Sequence, residues 1–382
     1  MCTNSFYFHV LFKHYFKRVL QVIILNFKSF TFVSCVKNEA RLRQDPAFQY
    51  RCINIAHELS DLGRENKCIH FSELSTKAKN EIFIFQRPST RSFFQHWKFI
   101  RKLKKLKANG CLLIADFDDL VFAPDFAEES PGVKNGSVSV QQTRENYQNH
   151  QRTLFLFDAF TFSTEPLLET FLQFIPSAPV LQVPNTAFWT WASKPITNRK
   201  PEADDKIILT YFPGTASHDR DFRIIEPALE RLLNEEEQVE LHITGVLQSS
   251  LIGNHPKVKF NSRVPFEDYW KVAQQGTINL APLEMSHFNH CKSALKGIEG
   301  SFWNKRTIAT AIPDMTRLEH CGVTLVHDAD SWYATLKQTV EEERERIKTG
   351  RTHNFNEQLL VESNISKVTQ NWLQWLSKLK NE

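Results

Sequence analysis

The segment 278–314, INLAPLEMSHFNHCKSALKGIEGSFWNKRTIATAIPD, leaves few folds open. It begins with a short apolar run, Ile278-Asn279-Leu280-Ala281-Pro282-Leu283, stopped by proline. A run without polar alternation buries both faces and reads as a parallel strand. A polar loop follows, then a helix predicted over 289–302, then a strand over 307–310 and another proline. On that helix Lys292, Lys296 and Glu299 fall at i, i+4 and i+7 and share one stripe. Cys291, Leu295, Ile298 and Phe302 lie on another stripe, about a third of a turn away, that is expected to face the core. Two cations and a carboxylate at the mouth of a strand–loop–helix unit form a socket for a ligand carrying phosphates and hydroxyls. The lysines and the helix N-terminus suit phosphate, and the carboxylate suits a diol. The same residues also read as a solvated helix face, with a Lys296–Glu299 pair worth about 0.2–0.5 kcal/mol.

The strand–helix rhythm recurs along the chain. A strand over 30–34 is followed by the helix YRCINIAHELSDLG, whose Ile53, Ala56 and Leu59 face inward and whose end is marked by Gly63. Further strands are expected at 68–71, 82–85 and 111–116, which argues a parallel, doubly wound sheet. After a linker over 191–206, rich in Pro, Lys, Asp and Asn, a second series opens with a strand over 207–211. The loop FPGTASHDRDF, a long helix and strands near 239–244 and 258–260 come next. The chain of 382 residues therefore divides into an extension over 1–29, a domain over 30–190, the linker, a domain over 207–350 and a terminal segment over 351–382. In that last segment Val361, Ile365, Val368, Trp372, Trp375 and Leu379 recur at helical spacing on one predicted helix over 356–380, and they read as packing.

Composition narrows the function. With 41% hydrophobic and 24% charged residues the chain is globular, and a net charge of +4 suits a phosphorylated ligand or an anionic membrane surface. That charge is too small for a nucleic-acid partner, which is not expected. The 7 cysteines are scattered without a C-x-x-C pair and read as reduced thiols. Neither an H-E-x-x-H metal spacing nor a Ser-His-Asp or Cys-His arrangement can be identified. The apolar run over 19–27 is far short of the roughly 20 residues that span a bilayer, so a cytoplasmic protein is expected, with peripheral membrane contact as one option. In the extension, His9, Lys13, Lys17 and Gln21 form a polar stripe, read either as a membrane-surface helix or as a segment without a specific role. The basic run RKLKKLK at 101–107 continues a helix bearing Phe94, Trp97 and Leu103, and reads either as a solvated face or as an attraction to anionic lipid.

The string N-x-x-K-S-x-L-K-x-x-E from Asn289 to Glu299, followed by a strand and I-P-D, resembles the donor-site segment of family 4 glycosyltransferases. It is most similar to the branch found in bacterial capsule and O-antigen clusters. The resemblance extends more loosely to Y-R-x-x-N-x-A from Tyr50, D-x-D-D-L from Asp116, S-T-x-x-L…V-P-N ending at Asn185, and G-T-x-x-H-x-x-D-F from Gly214. It implies an α/β protein of the GT-B fold: two Rossmann-like doubly wound domains facing a cleft, with a C-terminal helix crossing back to the first domain. It also implies transfer of a sugar, with retention, from a nucleotide-diphosphate sugar to a glycan or polyprenyl-linked acceptor, without a cofactor or metal. By the same resemblance Glu299 holds the ribose, Lys292, Lys296 and Arg220 the diphosphate, and Gly214 and Thr215 allow close backbone approach. His218, Asp221 and Ser293 complete the donor side. Two positions depart from the family pattern. Cys291 stands where a first glutamate is usual, and Thr215 where broader members carry arginine.

The Asp116-Phe117-Asp118-Asp119 string has two readings. D-x-D is the manganese pair of the metal-dependent GT-A transferases. In the GT-B reading Asp116, Asp118 and Asp119 face the acceptor instead. A third possibility is a non-catalytic relic that holds a glycan. For His218 and Asp221 the plain alternatives are a loop residue and a helix N-cap.

Overall fold

The expected strands, joined by three that the sequence reading did not mark at 159–162, 180–182 and 323–326, form two parallel six-stranded sheets in the computed structural model, which describes residues 29–36, 39–195 and 206–379. The first sheet runs in the order β2-β1-β3-β4-β5-β6. Its strands are β1 (Phe30–Ser34), β2 (Asn66–His70), β3 (Ile82–Gln86), β4 (Leu112–Phe117), β5 (Ala159–Phe162) and β6 (Val180–Gln182). The second sheet runs β12-β11-β10-β7-β8-β9. It contains β7 (Ile207–Tyr211), β8 (Val239–Gly245), β9 (Val258–Ser262), β10 (Ile278–Ala281), β11 (Arg306–Thr310) and β12 (Val323–Val326). Every residue of β1, β3, β7 and β10 is buried, as both-face burial under flanking helices requires.

The helices that matter for the site are α1 (Asn54–Asp61), α2 (Phe93–Ala108), α3 (Asp219–Glu235), α4 (His287–His290), α5 (Leu295–Phe302), α6 (Phe355–Glu362) and α7 (Ile365–Leu379). In the second sheet the strand order reverses between β7 and β10, and in the first between β1 and β3. In such sheets the crevice beyond the strand ends at the reversal binds the ligand. Both reversals open onto the space between the two domains.

The single helix expected over 356–380 is two helices, α6 and α7. The break falls at Asn364, whose side chain accepts from the backbone N–H groups of Ser366 and Lys367 and so starts a new helix. α7 crosses back to the first domain. Ile365, Trp372, Leu373 and Leu376 join a core with Phe30, Phe32 and Phe48, and the Trp372 ring lies 5.6 Å from that of Phe30. A second cluster joins the domains beside the cleft, with Tyr50, Phe188 and Trp191 against Phe266, Tyr269 and Trp303. No helix among the described residues is long and apolar enough to cross a membrane. The stripe from His9 to Gln21 and the linker residues 196–205 lie outside the described residues.

Candidate active site

The helix expected over 289–302 is also broken, into α4 and α5, and the break is bonded across instead of along the chain. Asp314 accepts the Ala294 N–H at 2.7 Å, Asn185 donates to the Ser293 hydroxyl at 2.9 Å, and the Thr164 hydroxyl donates to the Cys291 carbonyl at 2.8 Å. Lys292 therefore leaves the stripe of Lys296 and Glu299. It lies 3.5 Å from Asp119 of the first domain. Asp314 also takes up part of the anion-binding capacity expected of this helix start.

Glu299 is no surface residue. It is 4% exposed and accepts three donors: Tyr50 at 2.9 Å, Tyr269 at 2.7 Å and Lys296 at 2.8 Å. Burial and the Glu299 charge push both phenols well above their usual range, so they stay protonated as donors. Tyr50 comes from the first domain, on the π-helical turn Gln49–Ile53 that precedes α1. Lys296 spends a second donor on the Tyr269 oxygen at 2.8 Å.

Around these groups the cleft holds a cavity with two lobes that share Tyr50, Phe212, His218 and Lys296. One lobe, of about 300 Å³, is lined by Asp118, Asp119, Lys292 and Ser293. The other, of about 190 Å³, is lined by Gly214, Arg263, Val264, Tyr269 and Glu299.

The loop after β7 is tied to this cavity. Gly245 crosses it with φ +152°, and a Cβ there would sit 1.9 Å from the Pro213 carbonyl oxygen, so only glycine lets the two strand ends pack. At Gly214 a Cβ would meet nothing within 4 Å, leaving its backbone open to a ligand. Thr215 is exposed, and its hydroxyl pairs with Ser217 at 2.6 Å. His218 reaches Asp221 at 2.9 Å. Asp221, buried and outside the cavity wall, also accepts the Glu284 N–H and the Asn289 amide, which fixes the loop between β10 and α4. Arg220 is engaged elsewhere, since its guanidinium holds Glu284 at 2.6 and 3.2 Å and the Lys134 carbonyl at 3.3 Å. It does not line either lobe.

On the first domain the three aspartates part company. Asp116 is buried, taking the Arg51 guanidinium at 2.6 and 3.0 Å and the Thr161 hydroxyl at 2.7 Å. The expectation of Asp116 on the acceptor side is thus corrected: its alternation along β4 points it under the sheet end, where both oxygens are used. Asp116 and Asp118, the pair of the D-x-D reading, are each held by a guanidinium, Arg51 and Arg87 respectively. Asp118 and Asp119 do line the cavity. Arg87 clamps them at 2.5 and 2.9 Å. Against the effect of burial, Lys292 and Arg87 hold the Asp119 carboxyl below its usual range. Cys291 is buried against Thr170 and His287, so the position of the usual first glutamate faces the domain contact and not the cavity.

Sequence reading missed Arg87, Arg263, Tyr269 and the role of Tyr50. For Arg87 a signal existed in its place directly after the apolar run IFIFQ, and the structure adds a φ of +45°, a strained backbone of the kind held at functional sites.

No family model matches the sequence, and no curated protein matches it. Solved structures do. WaaG, a glycosyltransferase involved in lipopolysaccharide biosynthesis, superposes with a TM-score of 0.57 at 12% identity, over 90% of this chain and 98% of that one. Staphylococcus aureus MnaA, solved with UDP, gives a TM-score of 0.51 at 11% identity, over 92% and 97% of the two chains. S. aureus TarM, solved with UDP and α-GlcNAc-glycerol, gives 0.53 at 10% identity; 82% of this chain matches and spans 57% of the TarM chain. Two six-stranded parallel sheets facing one cleft, closed by a terminal helix that crosses back, are the GT-B fold, and this chain has it.

Proposed function

We propose that the protein transfers a sugar from a nucleoside-diphosphate sugar to a glycan or polyprenyl-linked acceptor, with retention, in the cytoplasmic assembly of a bacterial surface polysaccharide. One observation carries the reading. Glu299 is a buried carboxylate on the wall of a lobe at the strand reversal of the second sheet, and its present partners are two hydroxyls and an ammonium. A ribose diol offers the same hydroxyl donors. The adjacent lobe, with Lys292, Lys296, Ser293 and His218 on its wall, suits a diphosphate. WaaG, with the same fold over nearly its whole length, is described as a glycosyltransferase, which supports the reading.

The chemistry needs no protein nucleophile. The departing diphosphate oxygen takes the acceptor hydroxyl proton on the face where the new bond forms. Lys296 and Lys292 steady the charge that grows on the phosphate. His218, steered by Asp221, adds an N–H donor in the same lobe. Asp118 and Asp119, held by Arg87, position the acceptor hydroxyls. Arg220 acts at one remove, by fixing Glu284 and the loop that carries Lys292.

Glu299→Gln tests the ribose assignment. The amide keeps the shape and removes the charge. A charge-assisted hydrogen bond is worth about 1.5–3 kcal/mol, so nucleotide-sugar affinity is expected to fall roughly ten- to a hundredfold in a calorimetric titration. Unchanged affinity in a folded variant defeats the assignment.

A further inference from the structure

We propose that α2 and the turn Leu154–Leu156 beside it form a docking surface for an anionic lipid bilayer. Four large apolar side chains stand in water there: Phe93 at 86% exposure, Phe94 at 60%, Trp97 at 45% and Phe155 at 68%. They come from two separate elements, joined where Phe155 meets the ring of His96 at 6.5 Å. α2 is anchored by its opposite face, through Phe99, Leu103 and Leu106. Core packing therefore does not explain why the outer rings are aromatic.

The outer stripe mixes rings with cations. Phe94 and Trp97 stack at 6.3 Å with 16° between their planes. Lys98 lies 4.3 Å over Phe94, and Arg101 lies 4.7 Å over Trp97. Lys104 and Lys105 continue the exposed face, and the helix sequence FFQHWKFIRKLKKLKA contains no carboxylate. That combination selects the occupant. Protein interfaces deplete lysine from their centres, whereas a bilayer surface accepts aromatic rings at the headgroup level and rewards each nearby cation. The long stems of Lys and Arg let the rings sink while the charges stay among the headgroups.

The position fits a use. α2 follows β3 by a short loop that begins with Arg87, the residue that clamps Asp118 and Asp119 in the cavity. A bilayer on α2 thus lies beside the acceptor side of the cleft, which favours a lipid-linked acceptor. The surface itself stands apart from the transfer reading, because lipid binding needs no sugar donor.

The test is flotation of the purified full chain with vesicles of phosphatidylcholine, with and without about a third phosphatidylglycerol. The parent is expected to bind the anionic vesicles at least about tenfold better than the neutral ones, and to be released near 0.5 M salt, where charges are strongly screened. Phe93→Ser/Phe94→Ser/Trp97→Ser, and separately Lys98→Glu/Arg101→Glu/Lys105→Glu, are expected to lose at least about tenfold in vesicle binding. Both sets are exposed, so melting temperature should stay at the parental value. Phe155→Ser, on the other element, should weaken binding without touching α2. Brominated lipid should quench the parent more than Trp97→Phe. The proposal is overturned if both triple variants bind anionic vesicles like the parent, or if deletion of residues 1–28 alone removes binding. It is equally overturned if the aromatic variant changes only self-association in sedimentation.

Discussion

Lys296→Ala is expected to slow sugar transfer by about a hundred- to a thousandfold while the protein stays folded. The ammonium lies on the wall of both lobes and donates to Tyr269 and Glu299. A preorganised donor aimed at charge that develops in the transition state is typically worth about 2.7–4 kcal/mol. Charge on the diphosphate grows as the sugar departs, so the loss belongs mainly to kcat, with a smaller change in KM. Glu299 keeps Tyr50 and Tyr269 as donors in the variant, so no buried carboxylate is stranded. Steady-state kinetics on a purified variant checks this. A solvated pair predicts the opposite, with stability within about 0.5 kcal/mol and parental rates.

Asp116→Ala is expected to destabilise the fold by about 3–5 kcal/mol, because it leaves the buried Arg51 guanidinium without its carboxylate. Arg51 keeps the Val183 carbonyl and Asn185 as acceptors, but neither neutralises its charge. The denaturant midpoint measures the loss. A metal-ligand role predicts a stable protein whose activity vanishes in EDTA and returns with manganese. With cations already provided by Lys292 and Lys296, transfer is expected to survive excess EDTA.

Much of the fold was legible because buried parallel strands leave an unmistakable local mark. IILTY, IFIFQ and INLA are mostly apolar and buried at every residue, and each is a central strand. Helix breaks were less legible, because their causes are distant in sequence. Asp314 unpairs Ala294 from the helix, and Thr164 and Asn185 reach the same turn from the other domain. Side-chain roles divided along similar lines. Lys296 and Glu299, three apart on one helix, were found together, and His218 was found with Asp221. The contact of Tyr50 with Glu299 spans 249 positions, and no periodicity records it. Alternation along β4 did hold the information that Asp116 is a strand residue, while Asp118 and Asp119 lie beyond the strand end at Phe117. It did not say that Arg51 would consume the first of them. Arg220 misled for the opposite reason: its charge suits a diphosphate, but Glu284 stands nearer.

If the cleft holds a nucleoside-diphosphate sugar between Glu299 and the two lysines, that ligand must stabilise the fold. Thermal shift of the parent protein against UDP-, GDP- and ADP-sugars, with a CMP-sugar as the monophosphate comparison, reads this out. A ligand that binds only the folded state stabilises it by about 2.7 kcal/mol at a hundred times its Kd. One diphosphate sugar is therefore expected to raise the melting temperature by several degrees, and the CMP-sugar to leave it nearly unmoved. A melting temperature that none of the diphosphate sugars shifts at millimolar concentration would rule out a donor site between Glu299 and the lysines.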